Sequence, residues 1–154
     1  MYGFKSPLSG LNSRPTPSPR VKPNPPLLLF DGVCHLCNGL VGFLLPRDPK
    51  GRLHYCSIQS ELGSRLYREH GLDPTQPNTL LLITPRGAFR RSDVVLEIAR
   101  LIGGTWRALL ILKLLPRPLR DAAYDLIARR RYHWFGRSPT CLLPRPGWRD
   151  RFHE

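Results

Sequence analysis

The feature that most constrains this chain is Asp31-Gly32-Val33-Cys34-His35-Leu36-Cys37, set directly after the apolar run Leu27-Leu28-Leu29-Phe30. Pro25-Pro26 precedes the run and Asp-Gly follows it, which reads as a short buried strand ending in a turn. From Cys34 onward, Leu36, Cys37, Leu40, Val41, Leu44 and Leu45 recur at helical spacing, and Pro46 stops the helix. A strand that becomes a helix through two cysteines three positions apart leaves two chemistries open: dithiol–disulfide exchange, or half of a zinc site.

The rest of the chain builds a small α/β unit around that junction. Residues 52–58 alternate, with Leu53, Tyr55 and Ser57 on one face and His54, Cys56 and Ile58 on the other, a second strand. Ser60 is placed to cap a helix over 61–70, and Gly71 to end it. Residues 79–84 form a third apolar strand. Pro85-Arg86-Gly87 turns it into a fourth, 88–91, as an antiparallel hairpin. Ser92 is expected to cap a helix over 93–101, broken by Gly103-Gly104. Two amphipathic stretches, 106–115 and 119–134, hinge at Pro116-Arg117-Pro118 and are expected to pack an apolar face on the core. The order is β-α-β-α-β-β-α plus a C-terminal helical extension. It predicts a small mixed sheet with helices on both faces and the cysteines at the carboxyl end of the first strand, where α/β sheets gather chemistry.

Residues 1–26 carry Pro, Ser and basic residues and no acid, the composition of a disordered tail. Residues 27–150 then make one domain, with a redox core at 27–103 and the extension at 104–150. The tail has no continuous apolar segment of the secretory kind, and no run in the chain reaches the ~18–20 apolar residues of a membrane span. A cytoplasmic protein is expected; an acid-free N-terminus is also compatible with organellar import.

The formal charge of +13 comes from 24 Lys and Arg against 11 Asp and Glu. The charge is scattered, with Arg129-Arg130-Arg131 its one run, and reads as a basic solvated surface on a monomer, with no nucleic-acid partner expected. The extension offers a second use of that charge. Trp106, Leu109, Leu110, Leu112 and Leu115, with Arg107 and Lys113, could form an interfacial helix on an acidic partner or membrane surface. Packing on the sheet is the preferred reading of the same stripe.

If the helix starts near Cys34, its N-terminal amides favour thiolate at that sulfur. Cys34 is then the nucleophile and the more accessible sulfur, and Cys37, one turn on, the resolving thiol. His35 could add positive charge or simply face solvent. Asp31 could relay a proton during exchange, or only shape the Asp-Gly turn. Such chemistry needs no bound cofactor or metal, only a thiol or disulfide substrate and a redox partner. The zinc rival would add His54 and Cys56 to Cys34 and Cys37. Against it, the cysteine pair opens a long helix, and Cys56 suits a small buried strand position. Cys141, in a proline-rich tail, is expected to be a single accessory thiol.

The stretch from Leu29 to Gly39 resembles the DCC family of thiol-disulfide oxidoreductases, named for its Asp-x-x-Cys-x-x-Cys pattern. Arg47-Asp48, Ser57-Ile58-Gln59-Ser60, Arg91-Ser92-Asp93, Trp106, the stretch from Pro116 to Asp121, the stretch from Arg131 to Gly136, and Cys141 match as well. The resemblance covers about residues 27–150. It implies a thioredoxin-like fold and redox-active Cys34 and Cys37. One departure from the wider thioredoxin-like pattern lies where a cis-proline directly precedes the third strand and pairs with substrate backbone. Here Pro77 is followed by Asn78 and Thr79. Either Pro77 fills that role with a shifted strand start, or Asn78 takes the position.

Overall fold

A computed structural model of the chain describes residues 25–137 and 145–154. The expectations for residues 1–24 and for Cys141 lie outside the described residues. The first strand, β1 (Leu27–Phe30), pairs in parallel with β2 (His54–Ser57), and α1 (His35–Leu44) makes the crossover. Strand β3 (Leu81–Thr84) lies antiparallel on the other side of β1, and β4 (Gly87–Arg90) closes a hairpin with it. Helix α2 (Glu61–Glu69) leads from β2 towards β3, and α3 (Ser92–Ile102) follows β4. The long α4 (Arg117–Phe135) comes next, and the chain ends in β5 (Phe152–His153), parallel to β2. The sheet order is β4-β3-β1-β2-β5. It is a mixed α/β, thioredoxin-like arrangement.

The central strands read as continuous apolar runs because both of their faces are buried. Leu28, Phe30, Tyr55 and Leu82 meet Cys37, Val41 and Leu44 of α1 and Val94 and Ile98 of α3. Leu27, Leu29, Cys56, Leu81 and Ile83 point to the opposite layer, against Tyr67 of α2. Ser60 caps α2 by accepting from Gly63 N–H at 3.0 Å, as its position predicts.

Three expectations are corrected. Ser92 does not cap α3. Arg91 holds the N-cap position with φ 53°, and the Ser92 hydroxyl bonds Asp121 of α4 at 2.5 Å. Residues 106–115 do not form an amphipathic helix against the sheet. Gly104–Leu114 is a 3-10 run with no buried residue, and Leu109, Ile111, Leu112 and Leu114 are exposed. Its leucines are nearly consecutive and select no single face; Trp106, edge-on to Phe43 at 5.3 Å, ties the run to α1. Helix α4 does dock on the core, but through polar groups. Arg117 bonds Asp93 at 2.7 Å, Arg91 bonds Asp125 at 3.5 Å, and Tyr124 Oη accepts from Leu80 N–H at 2.9 Å. Leu119, Leu126, Ile127 and Trp134 face outward.

The last residues also add structure. The sheet continues past residue 150 into β5, where Phe152 stacks on Tyr55 at 5.4 Å between ring centres. Among the described residues, no helix is long and apolar enough to cross a membrane.

Candidate active site

Cys34 holds the N-cap position of α1 in extended backbone, and its carbonyl accepts from Asn38 N–H at 2.9 Å. Cys34 and Cys37 are both free thiols, joined by a side-chain hydrogen bond. That bond from Cys37 does most to pull Cys34 down, to about 6. Burial works against it, while the N–H groups of Cys37 and Leu36 and the positive charge of Arg131 help. Cys37 moves the opposite way, far above the ordinary thiol range, because it donates to Cys34, is buried and sits beside the charge it stabilises. The asymmetry favours thiolate at Cys34 and thiol at Cys37.

Asp31 follows the last residue of β1, lies near enough to Cys37 for its charge to act on it, and is buried. One carboxylate oxygen accepts from Val33 N–H at 3.2 Å and from the Gln59 amide at 2.7 Å. The other accepts from Arg131 at 3.1 Å and from the Tyr132 hydroxyl. Gln59 also accepts from Gly32 N–H at 2.8 Å, which fixes the turn before Cys34. Arg131 reaches on to the Pro77 carbonyl. The loop before β3 is thus tied to the same guanidinium as the turn before the cysteines, and β3 itself begins only at Leu81.

The segment after α4 closes over Cys34. Arg137 forms an antiparallel bridge with Cys34, and the Gly136 carbonyl accepts from His35 N–H at 3.3 Å. Gly136 has φ 82°, a conformation suited to glycine, at the point where the chain leaves α4. Cys34 is 0% exposed and Cys37 5%. This corrects the expectation that Cys34 is the more accessible sulfur, since the covering strand comes from a part of the chain one hundred residues away.

Cys34, Cys37 and Asp31 come together as the sequence predicts, and His35 faces solvent. The zinc set does not assemble: Cys34 and Cys37 lie on the α1 and α3 side of the sheet, Cys56 on the α2 side. His54 instead stacks on His153 of β5, 2.8 Å away between ring nitrogens. Arg131, Tyr132 and Gln59 also belong to the site; the sequence marks them only as matches to the family pattern, in the stretches 57–60 and 131–136, without a role. Arg131 lies in the basic run Arg129-Arg130-Arg131, whose composition alone reads as solvated surface.

A CxxC-spaced cysteine pair at the start of the first helix of a mixed α/β sheet is the arrangement of a thioredoxin-like fold. The chain belongs to the DCC1-like thiol-disulfide oxidoreductase family, whose model matches residues 28–137. It is 39% identical to the uncharacterized protein YuxK of Bacillus subtilis over 82% of this chain and 92% of that one. It is 35% identical to a chloroplastic DCC family protein of Arabidopsis thaliana over 77% of this chain and 69% of that one. No solved structure matches the chain.

Proposed function

We propose that this protein exchanges its Cys34–Cys37 dithiol with a disulfide substrate, Cys34 attacking and Cys37 resolving. The observation that carries the reading is the hydrogen-bonded pair at the α1 N-cap with Arg131 beside it, one sulfur favoured as thiolate and the other as thiol. A thiolate attacks a disulfide sulfur; a second thiol within one helical turn then displaces the mixed disulfide. The hydrogen bonds of Asp31 go to Val33, Gln59, Arg131 and Tyr132, so we assign it the anchoring of Arg131 and Tyr132 beside the sulfurs. Its negative charge also helps keep Cys37 protonated until resolution. Exchange requires Gly136 and Arg137 to move off Cys34. The electrons travel in the sulfur pair, so the reading calls for no bound cofactor.

Thiol trapping tests it. Cys37→Ser is expected to accumulate a mixed disulfide with the oxidant, and Cys34→Ser to lose exchange. Exchange at the wild-type rate in either variant would count against the mechanism. A cytoplasmic or organellar setting goes with the reading, as the chloroplastic relative has.

The exposed Leu109, Ile111, Leu112 and Leu114, with Arg107 and Lys113 alongside, support a second and compatible reading: peripheral contact with an acidic membrane surface. Co-sedimentation with anionic but not neutral vesicles checks it.

A further inference from the structure

We infer that the arginine-lined cleft beside the dithiol receives the substrate, and that this substrate is a small anionic disulfide or its thiol, bearing carboxylate or phosphate groups. The inference rests on the exchange reading above. The cleft measures about 910 Å³, inside the roughly 300–1,000 Å³ of sites that enclose small molecules. Arg90, Arg91, Arg117, Arg129, Arg131 and Arg137 line it, against Asp121 and Asp125.

Half of these arginines are already paired: Arg91 with Asp125, Arg117 with Asp93 and Asp121, and Arg131 with Asp31. Arg90 donates to the His70 carbonyl, which leaves its charge uncompensated. Arg129 and Arg137 have no carboxylate partner among the described residues. Arg137 lies instead over the Tyr132 ring, 4.9 Å from its centre. The cleft therefore keeps a positive excess that a ligand's anionic groups would neutralise.

A separate observation points the same way. Arg131 is 5% exposed, yet its Nε has no hydrogen-bond partner among the described residues. A buried guanidinium N–H left unpaired is costly, and an anionic oxygen could satisfy it only if the Arg131 side chain turned toward the cleft that it lines. The cleft also adjoins the reacting groups, though neither sulfur lines it. Val33, next to Cys34, and Tyr132, which donates to Asp31, stand in its wall. Arg137 joins the two features, lining the cleft while its backbone pairs with Cys34. An anion drawing Arg137 toward itself would act on the residue that covers the nucleophile.

The chemistry balances as follows. The Cys34 thiolate attacks one sulfur of the disulfide RS–SR, breaking its S–S bond, forming Cys34–S–S–R and releasing RS⁻. Cys37 gives up its proton and attacks the Cys34 sulfur, forming the Cys34–Cys37 disulfide and releasing a second RS⁻. Both leaving thiolates take protons from the site or solvent. The substrate gains two electrons and the dithiol loses two. An excess of the same thiol RSH runs both steps backward and restores the dithiol.

The test uses the full chain in reduced form and three disulfides: glutathione disulfide, which is anionic, 2-hydroxyethyl disulfide, which is neutral, and cystamine, which is cationic. Oxidation of the pair is followed by mass spectrometry at low and high salt. The rate with glutathione disulfide should exceed that with the neutral compound by about tenfold or more at low salt, and cystamine should be slowest, because a focused field raises encounter rates by roughly 10–10³. The advantage should shrink with added salt. Arg129→Glu combined with Arg137→Glu should cut the anionic-to-neutral ratio by about tenfold. Arg107→Glu, an equally exposed arginine outside the cleft, should change the ratio less than about twofold if the cleft and not the overall charge selects. Equal rates with all three disulfides, or equal effects of the cleft and Arg107 variants, would overturn the inference while leaving the exchange reading intact. Failure of all three to oxidise the pair would overturn the exchange reading itself.

Discussion

Arg131 and Asp31 stand 100 positions apart in the chain and meet in a buried ion pair at 3.1 Å directly beneath the dithiol. Arg131, with its neighbour Tyr132, is what α4 contributes to the site. Without α4, the β1 end would hold a buried carboxylate, and the Cys34 thiolate would lose a neighbouring positive charge.

Arg131→Met should therefore do two things. It should lower stability by about 3–5 kcal/mol, because Asp31 is left as an unpaired buried charge. It should also move Cys34 up toward ordinary thiol behaviour, since Arg131 is among the groups that pull it down. Arg131→Lys keeps the charge but not the planar fork, so it should retain most of the thiolate while still losing stability. Urea denaturation reads the first effect, and the pH profile of alkylation the second. A loss of stability with an unchanged alkylation profile would reduce Arg131 to a structural residue.

The reduced pair should show a divided titration. Alkylation of Cys34 by a small reagent should rise with a midpoint near the value of about 6, and Cys37 should stay unreactive to strongly alkaline pH. The linkage has a definite sign. Cys34 ionises near 6 when folded and near the ordinary 9.0 when unfolded. Its contribution to the reduced protein therefore grows from pH 6 to pH 9 and is lost as pH falls through 6. Cys37 works the other way above pH 9, where the unfolded chain ionises it more easily than the folded one. At pH 7 the Cys34 thiolate therefore stabilises the reduced state, and the disulfide should be more oxidising than a pair with ordinary thiols. Glutathione-buffer equilibration of wild type and Arg131→Met reads the share that Arg131 contributes, with the variant the less oxidising of the two.

The sequence carried the strand-to-helix junction, the parallel crossover and the hairpin because each rests on local signals. Asp31-Gly32, Ser60 and Pro85-Arg86-Gly87 sit at the turns they mark. The site was legible to the same depth: Cys34, Cys37 and Asp31 lie within seven consecutive residues. Arg131 was not, because it arrives through tertiary packing. Its helix does carry a periodic inner face at Arg120, Asp121, Tyr124, Asp125, Ala128, Arg131 and Tyr132, but that face is polar. A search for apolar stripes selects Leu119, Leu126 and Trp134 instead, and these face outward. The short matches at Arg91-Ser92-Asp93 and the stretch from Pro116 to Asp121 turn out to be two sides of one contact, the polar seam of α3 with α4.

Gly63→Ala should destabilise the protein even though alanine is the better helix former by about 1 kcal/mol. A Cβ at Gly63 would lie 1.9 Å from the Ser57 carbonyl oxygen, a backbone atom that has no rotamer to escape into. Helix α2 must then move away from the end of β2, loosening the Ser60 cap and the turn that carries Gln59. We expect a net loss of at least about 1–3 kcal/mol, the range for an overpacked site. Equal urea midpoints for the two proteins would show that the approach of α2 to β2 is not as close as described.

Arg151 should prove to be the anchor of the last strand. It bonds the buried Asp48 carboxylate at 2.7 Å and donates to the Leu53 carbonyl at 3.1 Å, and Asp48 also accepts from Leu53 N–H at 2.9 Å. These bonds hold the chain end where Phe152 covers Tyr55 and where β5 pairs the outer edge of β2. Arg151→Met leaves the Asp48 charge buried and unpaired, an expected loss of about 3–5 kcal/mol. Asp48→Asn on that background removes the stranded charge and should recover part of the loss, whereas adding Asp48→Asn to an intact Arg151 should only destabilise. Removing residues 145–154 takes away the arginine and the strand together. It should cost at least as much as Arg151→Met, and it also opens the β2 edge to pairing with other chains. Denaturation midpoints for the single and double variants, with light scattering for the truncated chain, check the argument. Additive effects of the two substitutions would mean that Asp48 and Arg151 act independently and that the strand is held by Phe152 alone.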